Sequence, residues 1–353
     1  MSSTASHDFR PGLEFDVPAL VVYLSAHLDG FEGDLCVTQF AGGQSNPTYL
    51  LTTPHRRYVL RRKPPGTLLP SAHAVDREYR VMRALSDHSA VPVARPLVLC
   101  QDAAIIGTDF YVMEHVGGRI FWDPTLPELA LHKRRAYFDA MNDAIAQLHA
   151  VTPGDIGLGD YGRSEGYVAR QIARWSRQYV ADEQAGRSEV MDRLVEWLPA
   201  HQPAAEPKPA IAHGDFRIDN LIFHPTEPRV LAIMDWELST IGDPLADFAY
   251  HLMIYRMPST ASVPGLMGLD TEALGLPSEA EYIRAYCERR GLSEVPHLNF
   301  YTAFCMFRLA AIFHGIRGRV ARGTAVSPQA QKYAAEVEGM ARAAWSQAER
   351  ADD

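Results

Sequence analysis

The chain has 353 residues, 47% hydrophobic and 22% charged, which suits a folded globular protein of more than one core and excludes extensive disorder. Its formal charge of -9, from 34 Lys+Arg against 43 Asp+Glu, argues against nucleic acid or an anionic membrane as the partner, because phosphate binding draws on a basic field. Cys36, Cys100, Cys287 and Cys305 form no C-x-x-C pair, so neither a zinc site nor a disulfide framework is indicated.

Residues 1–12, small, polar and closed by Pro11-Gly12, are expected to be a disordered amino terminus. They contain no basic segment followed by an apolar one, so no export is implied and the cytoplasm is the expected compartment. From Val17 to Leu28 the apolar Leu20, Val21 and Leu24 recur at helical spacing. AGGQSNPTYLL and RYVLRRKPPG then read as two strands around a tight turn. Period-two alternation puts Val59 and Arg61 on one face, continued by Lys63, and Tyr58 and Leu60 on the other. In AVDREYRVMRALSD, Val75, Tyr79, Met82 and Leu85 form a helical stripe with Glu78 at its edge, from which a carboxylate reaches a neighbouring strand.

TDFYVME, residues 108–114, is a further strand, and it runs into His115-Val116-Gly117-Gly118, where paired glycines permit a sharp, mobile connection. The division expected there is an amino-terminal lobe over 13–115 and a carboxy-terminal lobe over 116–353. Stretches near 129–150 and 166–199 have helical periodicity, and the prolines from Pro199 to Pro209 read as a surface connector. AIAHGDFRIDNLIFHPTEPRVLAIMDWE reads as strand, loop, short strand, proline turn, strand, and the remainder is mainly helical. The apolar stretch FCMFRLAAIF is short and carries Arg308, so no membrane insertion is expected.

Phosphoryl transfer needs a carboxylate for the acceptor hydroxyl, oxygen ligands for Mg and cations that offset developing charge. Residues 213–235 offer all three. In His213-Gly214-Asp215 through Asn220 the Asp and Asn are five apart, the interval of the H-R-D-x-x-x-x-N loop of protein kinases. Arg217 stands where such loops often hold a phosphate-facing cation, and a structural ion pair with a nearby carboxylate explains it as well. Asp235 follows the apolar strand VLAIM, so with Asn220 it suits two oxygen ligands on one hard cation.

The series H-G-D-x-x-x-x-N, I-x-D-W-E and G-D-P-x-x-D-x-A resembles the aminoglycoside phosphotransferase and choline kinase superfamily, over roughly residues 35–320. The resemblance implies an α+β, protein-kinase-like fold of a small mixed β-sheet lobe and a larger, mainly helical lobe. It implies Asp215 as catalytic base, Asn220 and Asp235 as metal ligands, and His213 and Asp247 as structural support of the loop. Gly42, Gly43, Ser45 and Asn46 then match the nucleotide-covering loop, with Val59 on the same strand face as the phosphate cation. The strand lysine of kinases is replaced in Tyr58-Val59-Leu60-Arg61, so Arg61, paired with Glu78, is the candidate α/β-phosphate cation, with Arg62 and Lys63 as alternatives. Met113-Glu114-His115-Val116 is the matching adenine-binding stretch, where the backbone of Glu114 and Val116 makes the contact.

The expected function is therefore a Mg-dependent transfer of the γ-phosphate of ATP or GTP to a hydroxyl of a small molecule. GGQSNPTY, YVLRRKPPG and MDWELSTIGDPLADFAY resemble most closely the phosphotransferase domains related to those fused to acyl-CoA dehydrogenases, a subgroup linked with hydroxyacyl-CoA phosphorylation. Arg308, Arg317, Arg319 and Arg322 around Phe304, Phe307 and Phe313 suggest an anionic or acyl acceptor. An aminoglycoside acceptor and a nucleotide-binding pseudokinase are the alternatives. The signatures of P-loop, zincin, α/β-hydrolase and dinucleotide-binding proteins are absent from the sequence.

Overall fold

The computed structural model describes residues 8–40, 46–66, 73–325, 327 and 329–351. In chain order the first elements are helix α1 (Val17–His27), strands β1 (Cys36–Gln39), β2 (Thr48–Thr52) and β3 (Arg57–Arg62), and helix α2 (Val75–His88). Strand β4 (Pro96–Cys100), helix α3 (Ala103–Ile106) and strand β5 (Phe110–Glu114) follow. Then come helices α4 (Leu131–Ala150), α5 (Tyr167–Ala181) and α6 (Glu189–Ala200), and strands β6 (Ala210–Ala212), β7 (Leu221–Phe223), β8 (Val230–Ile233) and β9 (Thr240–Gly242). Helices α7 (Pro244–Arg256), α8 (Glu279–Arg290), α9 (Leu298–Ala321), α10 (Ala330–Ala335) and α11 (Val337–Glu349) complete the chain.

The chain divides into two compact units. The sheet unit takes Met1–Arg119, Ile156–Tyr161 and Leu221–Ser239, and the helical unit takes the rest. The sheet has the order β1-β2-β3-β5-β4 with antiparallel neighbours. Alternation along β3 sends Tyr58 and Leu60 into a core shared with Leu20 and Leu24 of α1 and with Phe110. Helix α2 packs on β4 and β5 through Val75, Val81, Met82 and Leu85. Glu78 lies within this buried face rather than at its edge, and Tyr79 is the half-exposed residue. A carboxylate is tolerated there because hydrogen-bonding and charged partners converge on it, as detailed below.

Two expectations change. The amino terminus is ordered from Asp8 onward: the Asp8 N–H donates to the Val37 carbonyl at 3.0 Å, and Gln39 N–H donates to the Asp8 carbonyl at 3.0 Å. Phe9 packs edge-on against Phe15, with ring centroids 5.1 Å apart, so apolar burial holds what composition alone left loose. Residues 1–7 lie outside the described residues. The division of the chain is also not a single cut near residue 115, because the hairpin β7–β8 belongs with the sheet. Arg119 and Phe223 exchange two backbone hydrogen bonds of 2.8 Å, and Ile233 N–H donates to the Pro92 carbonyl at 2.8 Å.

That hairpin assigns Gly118 a role other than mobility. A Cβ there would lie 2.3 Å from the Phe223 carbonyl oxygen and 2.4 Å from Ile222 Cγ2. Gly118→Ala therefore destabilises the chain by about 1–3 kcal/mol, the usual cost of overpacking, read as a lowered denaturant midpoint. An unchanged midpoint would refute this close approach.

The helical unit is built around α7 and α9, both buried along most of their length. Asp243 starts α7, its Oδ1 accepting from Leu245 N–H at 2.8 Å and Ala246 N–H at 3.2 Å, and its Oδ2 accepting from Tyr301 Oη at 2.9 Å. Strands β6 and β9 pair antiparallel beside these helices. Among the described residues no helix is long and apolar enough to cross a membrane, and all four cysteines are free thiols.

Candidate active site

Strand β6 ends at Ala212, and the chain turns directly into the loop from His213 to Asn220. Gly214 has φ +82°, a left-handed conformation that glycine adopts without a Cβ penalty. The backbone N–H groups of His213 and Gly214 both donate to Asp247 of α7, at 2.8 Å to Oδ2 and 2.8 Å to Oδ1. His149 Nε2 donates to Asp247 Oδ2 at 3.1 Å, and its Nδ1 accepts from Tyr286 Oη at 2.7 Å. Burial acts to raise the Asp247 carboxyl, but the hydrogen bonds it receives from His149 and from the backbone N–H groups outweigh it and hold the group below its ordinary range. His213 is fully buried, and its Nδ1 accepts from the Asp215 N–H at 3.2 Å.

Asn220 closes the loop on itself: its Nδ2 donates to the Asp215 carbonyl at 2.9 Å and to Asp215 Oδ2 at 3.0 Å. With its amide nitrogen committed, Asn220 keeps its Oδ1 for another partner. The other carboxylate oxygen of Asp215, Oδ1, accepts from Tyr250 Oη at 2.6 Å. Arg217 turns to Asp219, with Nε 3.0 Å from Oδ1 and a second contact from Nη2 to Oδ2, and its Nε lies 3.9 Å from Asp215 Oδ1. A cavity of about 310 Å³ in the helical unit is lined by Arg217, Asp219 and Tyr250 together with Trp122, Met257 and Tyr333.

In the sheet unit the candidate residues form a separate network. Arg61 Nε lies 2.9 Å from Glu78 Oε2, and its Nη2 lies 2.7 Å from Asp235 Oδ1 and 3.2 Å from Glu237 Oε2. Glu78 also accepts from Asn46 Nδ2 at 2.8 Å and from Tyr111 Oη at 3.0 Å. Burial, reinforced by Asp235 and Glu237 and opposed by Arg61, pushes Glu78 up to about 7. Arg61 thus lies within 3.2 Å of three carboxylates, those of Glu78, Asp235 and Glu237. Asp235 itself is held at φ +62°, an uncommon conformation for a residue with a side chain.

Arg62 and Lys63, the alternatives to Arg61, are engaged elsewhere. Arg62 is buried, donates to Thr108 Oγ1 at 3.0 Å and lies over the Phe15 ring, while Lys63 pairs with Asp109 at 2.6 Å. Val59 is buried on β3, Glu114 is exposed at the end of β5 with its N–H on the Arg95 carbonyl at 2.9 Å, and Val116 is half-buried beyond it. Gly42, Gly43 and Ser45 lie outside the described residues. Asn46 is not an open loop tip but fully buried, with Oδ1 2.9 Å from His73 Nδ1 and its nitrogen on Glu78. Among the described residues no three His, Cys, Asp or Glu side chains form a metal-holding group by themselves.

The arginine cluster around the end of α9 is partly engaged within its own unit, while Arg319 is exposed. Arg308 is buried and donates to the Gly214 carbonyl at 2.8 Å, Arg317 lies 3.5 Å from Glu338, and Arg322 lies 2.6 Å from Asp182. Phe304, Phe307 and Phe313 are core residues. Aromatic side chains at helical spacing and charges near a helix end were better satisfied inside this unit than by a ligand. Sequence reasoning missed Tyr250. Its place three residues after Asp247, hence on the same side of α7, was the signal available.

A family model, APH, the Phosphotransferase enzyme family, matches residues 37–292. A protein of Ralstonia eutropha jmp134, provisionally assigned as an aminoglycoside phosphotransferase, has a crystal structure that is 47% identical, with TM-score 0.87 over 96% of this chain and 99% of that one. Choline kinase of Cryptosporidium parvum Iowa II, 13% identical with TM-score 0.66 over 94% and 96% of the two chains, shares the fold. Acyl-CoA dehydrogenase family member 10 of Mus musculus is 45% identical over 314 residues, 89% of this chain but 29% of the relative. Member 11 of Homo sapiens is 41% identical over 338 residues, 94% of this chain and 43% of the relative, so the chain spans less than half of these relatives. By the extent of the family match and the near-complete alignment with the Ralstonia protein, the chain belongs to the phosphotransferase enzyme family, the small-molecule phosphotransferases of aminoglycoside-kinase type.

Proposed function

We propose that the chain is a Mg-ATP-dependent kinase that transfers the γ-phosphate to a hydroxyl of a small molecule, with Asp215 as base and Asn220 and Asp235 as metal ligands. The observation that carries this reading is the setting of Asp215. Its carboxylate is a quarter exposed, each oxygen is steered by one donor, Tyr250 or Asn220, and lone pairs remain to receive a proton. The acceptor oxygen attacks the γ-phosphorus, the bond to the β,γ-bridging oxygen breaks, ADP leaves with that electron pair, and the hydroxyl proton passes to Asp215.

Asn220 and Asp235 each offer an oxygen, the donor type that a hard cation takes. When bound there with the nucleotide, Mg supplies charge neutralisation to the phosphate oxygens. Arg61, oriented by Glu78, is the proposed phosphate cation.

The cavity offers the acceptor an apolar wall of Ile254, Met257 and Leu309 beside polar His251, Ser262, Gln329 and Tyr333, and among the described residues its one carboxylate, Asp219, is already paired with Arg217. A polycationic aminoglycoside prefers several free carboxylates. Together with the acyl-CoA dehydrogenase family relatives, this makes a hydroxyacyl thioester the acceptor to test, recognised by its acyl part rather than by Arg317 and Arg322. Mg-ATP or Mg-GTP at about 100 times Kd is expected to stabilise the fold by about 2.7 kcal/mol, read as a raised Tm, and Asp235→Ala to abolish the metal-dependent part. ATP turnover with a hydroxyacyl-CoA is expected to exceed that with kanamycin or choline. Absence of any nucleotide effect would remove the kinase reading, and preference for kanamycin would reverse the acceptor reading.

A further inference from the structure

Tyr250 is buried in α7, and its hydroxyl donates to Asp215 Oδ1 at 2.6 Å. The ring is in turn held by Arg308, whose guanidinium lies 5.2 Å from the ring centroid while its Nη2 donates to the Gly214 carbonyl at 2.8 Å. Arg308 is 6% exposed, and its buried Nε has no hydrogen-bond partner among the described residues. A buried guanidinium is costly unless its charge is used. Here it lies against the phenol that donates to Asp215 and against the loop carbonyl that precedes Asp215. Cation, ring, hydroxyl and carboxylate form one connected series, and Tyr250 also lines the cavity of about 310 Å³.

We propose that Tyr250, fixed by Arg308, is a positioning residue for phosphoryl transfer: its hydroxyl holds the Asp215 carboxylate in the single orientation that receives the proton of the attacking hydroxyl or water. The proposal rests on the assignment of Asp215 as base. A carboxylate freed to rotate about χ1 and χ2 loses the near-attack geometry, and misplacements of about 1 Å reduce rates by as much as roughly 100-fold. Asn220 alone does not prevent this, because it restrains only Oδ2.

The test is a double-mutant cycle on the whole chain, using single-turnover hydrolysis of γ-labelled Mg-ATP by water as the probe. Tyr250→Phe removes one oxygen and retains the ring beneath Arg308. It is expected to lower the rate at saturating ATP roughly 10- to 100-fold, with half-saturation by ATP and Tm essentially unchanged. In an Asp215→Ala background, where no carboxylate remains to be held, Tyr250→Phe is expected to have no further effect. An undiminished rate in Tyr250→Phe, or an equal loss in both backgrounds, overturns the positioning role while leaving the base assignment intact. Asp215→Ala with the unmodified rate, or no hydrolysis above buffer by the unmodified chain, overturns the base assignment and the proposal with it.

Discussion

Asp215→Asn is expected to lower the rate of the proposed phosphorylation by roughly 10²- to 10⁴-fold, the range of a positioned base, with nucleotide affinity within about twofold. The substitution keeps the shape of the side chain, so an oxygen still accepts from Tyr250 at the 2.6 Å contact. The new amide nitrogen, however, faces Asn220 Nδ2, which lies 3.0 Å from the oxygen it replaces. Two donors opposed at that distance repel, and the relief available is a flip of the Asn220 amide that turns its oxygen inward. If Asn220 is a metal ligand, Asp215→Asn therefore weakens metal-dependent nucleotide binding slightly, whereas Asp215→Ala, which creates no such contact, does not. The pair separates the two roles: both variants lose turnover, and the small loss of affinity belongs to Asn alone. Calorimetric titration with Mg-ATP beside steady-state turnover measures both. Turnover within tenfold of the unmodified chain for both variants would show that Asp215 is not the base.

Asp247→Ala is expected to destabilise the helical unit by about 3–5 kcal/mol, the cost of removing one partner of a buried charged network. The carboxylate receives the His213 and Gly214 N–H groups and His149 Nε2, and its loss strands three donors in a site closed to water. Against a total stability of roughly 5–15 kcal/mol, that loss leaves a marginal fold. The charge has its own signature in pH. Because the folded-state pKa of Asp247 is depressed, its stabilisation is complete above the unfolded value near 3.9 and is lost as pH falls through the folded value. Asp247→Asn, a neutral mimic, should therefore differ from the unmodified chain fully at pH 7 and progressively less below about pH 4. Urea denaturation across that range makes the comparison. A difference independent of pH would mean that shape and hydrogen bonding, rather than charge, carry the effect.

The family and the α+β fold are legible in the residues alone, because both are written in local quantities. The five-residue interval from Asp215 to Asn220 sets a loop that closes on itself, and the alternation of Tyr58, Val59, Leu60 and Arg61 sets which face of β3 is core. Folding set Arg61, rather than Arg62 or Lys63, beside Glu78. It also turned Asn46 inward, paired Arg317 and Arg322 within their own unit, and joined the hairpin β7–β8 to the sheet. The reason is sequence distance. Arg61 meets Asp235 across 174 positions, Asn46 meets Glu78 across 32, and Tyr250 meets Asp215 across 35. Period and motif report a residue's own element, but a charge or hydrogen bond between elements is chosen by how the chain brings them together, and a buried polar group takes whichever partner that packing supplies.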